Sequence, residues 1–129
     1  MSRYLLDFHI FLWWLSDAQK LSSQAYDIIS DTKNQIYISS ATIWEIAIKE
    51  SLGKLKVDFD MSDAIFESGF IELKISAICA NATKKLPLIH KDPFDRMLIA
   101  QAIEGDMTLI SVDRFIKQYN GVKVLSKKK

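Results

Sequence analysis

Apolar residues along this chain alternate between short unbroken runs and longer stretches with helical spacing. Tyr4-Leu5-Leu6, Ile36-Tyr37-Ile38 and the Met107–Val112 segment, centred on Thr108-Leu109-Ile110, have the length and composition of buried strands. Helical spacing follows each of them, over Phe8 to Leu15, over Ala41 to Leu52 with Gly53 as the stop, and over the shorter Arg114 to Tyr119. A further helix is expected from Ser22 to Asp31, with Ser22 or Ser23 as cap and Ala25, Ile28 and Ile29 inward. In the middle third, Asp60 to Gly69 is patterned as a helix with Ile65 and Phe66 inward, Ile71 to Ile75 as a strand, and Ser76 to Lys85 as a helix. Val122 to Leu125 adds a last edge strand, and no repeat, linker or low-complexity segment interrupts the order.

The helix with the clearest start lies in His90 to Ile103, HKDPFDRMLIAQAI. Asp92 is placed as N-cap, Pro93 sits at the first helical position where a missing N–H costs nothing, and Asp95 falls in the first turn. Asp95 shares its side of the helix with Leu98, Ile99 and Ala102, so its carboxylate borders a face meant for burial. Such a group is paired, protonated, hydrogen-bonded or metal-bound; the plain account makes it the third residue of a capping box. His90 is open to capping, pairing with Asp92 or approaching a phosphate, an ordinary loop histidine being the default.

Other acids stand where strands end. Asp7 directly follows the first apolar run, and Asp113 follows the Thr108–Ile110 run with Ser111 two residues before it. Ligands of open parallel sheets gather beyond the carboxyl ends of strands. His9, two residues on from Asp7, is by default a helix-start residue. Glu45 stands in a helix that is apolar nearly all round, where it is open to a capping box with Thr42, an i,i+4 pair with Lys49, or projection over the strand ends toward Asp7. If the strands are parallel and adjacent, Asp7, Glu45, Asp95 and Asp113 converge on one sheet edge. Close carboxylates repel by about 4 kcal/mol per pair at an effective dielectric of about 20, so the cluster needs protons or a divalent cation. An all-oxygen site suits Mg²⁺, with Mn²⁺ possible, and such ions activate water for phosphodiester hydrolysis.

Composition narrows the partners. The 129 residues, 49% hydrophobic, fit one domain over residues 1–125 with a basic tail at 126–129. Seventeen basic and sixteen acidic residues leave a formal charge of +1, so no global field marks a nucleic-acid binder or membrane-surface protein. RNA would be held only if metal inverts the sign of the acidic pocket. The single Cys79, in an apolar setting, is expected in the core of a reduced cytoplasmic protein, and the run from Ile10 to Leu15 is too short to span a bilayer. Trp13 and Trp14 are expected in the core or in a subunit contact.

LLDFHIFLWWL, SSATIWEIAIKESLGKL, LPLIHKDPFDRMLIAQA and LISVDRFIKQY together resemble the successive motifs of PIN-domain proteins, and specifically the VapC-type toxins of prokaryotic toxin-antitoxin pairs, over Leu5 to Tyr119. The resemblance implies a three-layer α/β/α fold with a central, mainly parallel sheet, magnesium-dependent endoribonuclease activity, a homodimer, and inhibition by a cognate antitoxin whose tail covers the active site. By position, Asp7, Glu45, Asp95 and Asp113 match the four family acids, which serve as catalytic residues and metal ligands. Asp92 matches the motif's preceding aspartate, and Ser111 supplies the hydroxyl usual two residues before the last acid. Phe8 departs from the pattern, which has a small hydroxyl residue after the first aspartate. Arg96 is open to contacting phosphate or an antitoxin carboxylate, or to being a solvated first-turn arginine. Set against the ribonuclease reading is a catalytically impaired PIN-like protein that acts by partner binding, with Phe8 marking the decay.

Overall fold

The computed structural model describes residues 2–119, 121 and 123–125. The basic run Lys127-Lys128-Lys129 lies outside the described residues. Five described strands, β1 (Arg3–Leu6), β2 (Gln35–Ser39), β3 (Ile71–Leu73), β4 (Thr108–Ile110) and β5 (Lys123–Leu125), form one sheet in the order β3-β2-β1-β4-β5, and every pairing is parallel. Helices α1 (Phe8–Ser16), α2 (Ser23–Ser30), α3 (Ser40–Ser51), α4 (Met61–Glu67), α5 (Ala77–Ala82) and α6 (Pro93–Glu104) connect and cover them.

The unbroken apolar runs have their physical reason in this sheet, because successive residues of a strand face opposite layers and both layers are covered. Leu6, Ile36, Ile38 and Ile110 pack with Phe11, Ile46, Ile65 and Phe70 in one core, whereas Leu5 and Leu109 pack with Leu98, Ile99 and Ala102 of α6 in the other. The result is the three-layer α/β/α arrangement. Register sets Leu5 between Tyr37 and Leu109, and Leu6 between Ile38 and Ile110, so β1 and β4 end side by side at the middle of the sheet.

Local chemistry explains most boundaries. Ser22, Ser39, Ser76 and Asp92 each accept a hydrogen bond from a first-turn N–H of α2, α3, α5 and α6. Gly53, with φ of 70°, takes the left-handed position just past α3 that a side chain would strain. Several expectations shift. The Ser76–Lys85 helix splits into α5 and a 3-10 turn at Thr83–Lys85, and Arg114–Tyr119 contracts to a 3-10 turn at Ile116–Gln118. Phe66, expected inward, is 85% exposed, because Ala64 and Ile65 already fill the buried side of α4. Cys79 is half-buried rather than in the core, since α5 buries none of its residues. Among the described residues, no helix is long and apolar enough to cross a membrane.

Candidate active site

Asp7 is the first residue past β1 and the N-cap of α1 at once. Its Oδ1 accepts from the Ile10 N–H at 2.9 Å, its own N–H donates to Ile110 O at 3.1 Å, and Ser111 donates its hydroxyl to Oδ2. The Asp113 N–H in turn donates to Ser111 Oγ at 3.0 Å, so one hydroxyl couples the ends of β1 and β4. Asp113 turns its own loop by accepting the Phe115 N–H on Oδ1 at 2.7 Å, which leaves Oδ2 directed elsewhere.

That second oxygen meets His90. The imidazole Nε2 lies 2.9 Å from Asp113 Oδ2 and 2.9 Å from Asp95 Oδ2, bridging acids from a loop and from a helix start. His90 Nδ1 accepts the Asp92 N–H at 3.2 Å, which places the ring proton on Nε2, between the two carboxylates. Asp92 caps α6 by accepting from Phe94 N–H at 2.8 Å and Asp95 N–H at 3.2 Å, as expected of it. The capping-box account of Asp95 gives way, because its carboxylate turns to His90 and the Asp92 N–H is already spent on the same ring.

Burial and repulsion act together on these groups. Asp7 is 3% exposed, and desolvation raises its pKa from 3.8 to about 6 against the opposing hydrogen bonds from Ser111 and Ile10. Asp95 rises from 3.8 to about 7, first through desolvation and then through the charges of Asp92, Asp7 and Asp113, with His90 opposing. The charges of Asp7, Asp95 and Asp113 therefore act on one another, and Glu45, the fourth acid of the sheet-edge expectation, is not among the causes of these shifts.

Glu45 stands one step apart. It is buried on α3, and its Oε2 pairs with Lys49 Nζ at 2.8 Å, the i,i+4 account foreseen for it. Lys49 Nζ also sits 4.2 Å from the centroid of the Phe8 ring, so the residue following Asp7 and the residue four beyond Glu45 are stacked. The capping-box account of Glu45 fails, since Ser39 caps α3 and Thr42 lies inside the helix with a buried, unpartnered Oγ1.

Arg96 is neither solvated nor aimed at an outside anion. Its guanidinium donates to the carbonyls of Thr83, Leu86, Pro87 and His90 and to the Tyr119 hydroxyl, at 2.9–3.4 Å. It thereby fixes the loop that presents His90, a role invisible in sequence because its acceptors are backbone atoms. His90 was open to several readings, and the default of an ordinary loop residue is the one the structure overturns. Asp95 Oδ2 and Asp113 Oδ2 come within 4.8 Å of one another around His90, and a pair of carboxylate oxygens fits the donor chemistry of a divalent cation.

The comparisons with known proteins follow the same lines. The PIN domain family model matches residues 4–122, and the chain belongs to the PIN domain family. Its fold is similar to that in a crystal structure of VapBC2 from Rickettsia felis bound to a promoter DNA fragment, at 18% identity over 96% of this chain and 98% of that one, with a TM-score of 0.71. DNA-bound VapBC from Salmonella typhimurium is similar at 17% identity over 97% of this chain and 98% of that one, with a TM-score of 0.68. FitAcB from Neisseria gonorrhoeae is similar at 16% identity over 95% of this chain and 96% of that one, with a TM-score of 0.59. No curated protein matches the chain significantly.

Proposed function

We propose that the chain is a VapC-type endoribonuclease, dependent on Mg²⁺ or Mn²⁺, that acts in the cytoplasm as the toxin of a toxin-antitoxin pair. The observation carrying this reading is the meeting of Asp95 and Asp113 around His90, with Asp7 tied to the Asp113 backbone through Ser111 and its charge acting on Asp95, acids far apart in sequence brought to the end of β1 and β4. Asp7, Asp95 and Asp113 would hold the cation, with Glu45 completing the set from α3. When bound, the ion supplies an activated water and neutralises charge on the phosphodiester. Ser111 orients Asp7 and joins it to the Asp113 backbone, Asp92 fixes the start of α6 beneath Asp95, and Arg96 anchors the His90 loop.

The partner reading rests on the motif resemblance to VapC-type toxins and on a fold shared with VapBC structures. A cognate antitoxin would reach the same opening and place a tail across it, and two toxin chains would pair as a homodimer. Purified protein freed of partner should cleave RNA with Mg²⁺ or Mn²⁺, stop with EDTA, and lose cleavage in Asp7→Asn and in Asp95→Asn. Undiminished cleavage in both variants ends the proposal.

One observation favours the second reading, a protein that binds a partner without cleaving. Lys49, stacked on Phe8, already occupies Glu45, so one of the four acids is neutralised by the chain itself. Calorimetric titration with Mn²⁺ separates the two, because an impaired site takes up no ion saturably.

A further inference from the structure

His90 is held more tightly than a loop histidine requires. Its N–H donates to the Tyr119 hydroxyl at 2.8 Å, its carbonyl accepts from Arg96 at 3.3 Å, and its ring packs on Phe115 at 5.3 Å between centroids. Scaffold from α6 and from the loop after β4 thus aims one ring nitrogen at a chosen point. That point lies between Asp95 Oδ2 and Asp113 Oδ2, 2.9 Å from each. Two carboxylates so placed need something positive between them, and a ring N–H that is hydrogen-bonded to Asp113 and lies at ion-pair distance from Asp95 meets the need.

Two roles are chemically open to such a ring: a nitrogen ligand of the cation, or a donor that stands where the cation would. The far side of the ring decides between them. A histidine that ligates metal through Nε2 donates its other N–H to an acceptor, which fixes the tautomer. His90 Nδ1 faces the opposite kind of group, the N–H of Asp92, and accepts from it. Asp92 N–H is a backbone donor at the cap of α6 and has no other state to adopt, so the proton belongs on Nε2 and its lone pair is not available to an ion.

We propose that His90 is a positioning residue whose Nε2–H stands in for the cation, holding Asp95 and Asp113 together in the ion-free protein and yielding the place when an ion binds. This rests on the metal-dependent reading above and adds to it a gate that the chain carries within its own site. Ion-free acids stay converged instead of splaying, and the ion meets a preformed pair at the cost of breaking the His90–Asp113 hydrogen bond and the His90–Asp95 contact. Metal affinity is thereby set lower than the carboxylates alone would give.

The sign of one affinity change tests it. In calorimetric titration with Mn²⁺, His90→Ala should bind about tenfold more tightly than the wild type, the worth of one charge-assisted hydrogen bond, while its EDTA-treated form melts at a lower temperature. Weaker Mn²⁺ binding in the variant makes His90 a ligand and overturns the stand-in. Absence of saturable Mn²⁺ uptake by the wild type is a separate result, which removes the metal-dependent reading and this proposal with it. Nitrogen-15 spectra of the wild-type imidazoles need no variant, and the chain has only two histidines to assign. With EDTA, His90 should show the Nε2–H tautomer, and saturating Mg²⁺ should release that proton to rapid exchange. A switch to the Nδ1–H tautomer on Mg²⁺ binding, or spectra unchanged at saturation, overturns the proposal.

Discussion

Asp7 does two things with one carboxyl, and the geometry shows why they are compatible. One oxygen caps α1 through Ile10, while the other is held by Ser111 toward the acids of α6 and the loop after β4. Removing the side chain therefore costs a helix cap as well as the charge proposed to hold an ion, whereas Asn keeps the cap and changes only the charge. Among the described residues, the Asp95 carboxylate makes no such capping bond and faces His90 instead. Its raised pKa, about 7 against 3.8, means that the folded protein binds a proton that the unfolded chain releases near pH 4, and Asp7, at about 6, adds to this. More protons bound to the native state make stability fall as pH rises through that interval. In EDTA, the contribution of these groups to stability should be fully present below about pH 4 and lost by about pH 7. Urea unfolding across that range should give Asp95→Asn a flatter curve than the wild type and greater stability above pH 7. Parallel curves for the two proteins would show that Asp95 is ionised in the folded state as readily as in the unfolded.

At the scale of elements, the sequence made visible whatever a local rule controls. Strand β1, helix α6 and their caps follow from apolar runs, Asp92 and Pro93, all readable within a few residues. The splitting of Ser76–Lys85 and the outward turn of Phe66 were not readable, because which side of a short helix is covered depends on neighbours far along the chain. Arg96 shows the same limit most sharply. Its position in the first turn of α6 suggested solvent or an anion, yet it gathers carbonyls from the preceding 3-10 turn and loop, from Thr83 to His90. Replacing it leaves those acceptors with one fewer partner each and frees the loop that presents His90. Arg96→Ala should therefore lose about 2–4 kcal/mol in chemical denaturation, where a solvated arginine would lose under about half a kcal/mol. Arg96→Lys should recover only part, since a single ammonium cannot span the carbonyls a guanidinium fork reaches. A neutral outcome for Arg96→Ala would return the residue to the surface role its sequence position suggested.

For the whole molecule, the order β3-β2-β1-β4-β5 is what turns scattered acids into a site. Strands β1 and β4 come from opposite ends of the chain, yet lie side by side, so Asp7 and the Ser111–Asp113 turn meet without any long-range signal in either segment. Asp7, Asp95 and Asp113 were legible because each sits at a strand end or a helix start, where folds of this kind expose side chains, whereas Glu45 lies inside α3. His90 was not, since its meaning depends on a partner 23 residues away, and neither was the stacking of Lys49 on Phe8, which joins two helices. A site assembled this way exists only in the folded chain, so an ion that binds it must stabilise the fold. At a hundred times its dissociation constant the gain is about 2.7 kcal/mol, a rise of roughly 10 °C in melting temperature for a domain of this size. Because Asp7 and Asp95 hold protons to about pH 6 and about pH 7, the ion must displace them, and the rise with Mn²⁺ should be larger at pH 8 than at pH 6. Thermal melts with Mn²⁺ and with EDTA, at both pH values, measure the difference directly. The Asp95→Asn, Asp113→Asn double variant should melt at the same temperature with and without Mn²⁺. An equal rise in that variant would locate the ion away from the end of β1 and β4, and the acids would then be holding the fold rather than a metal.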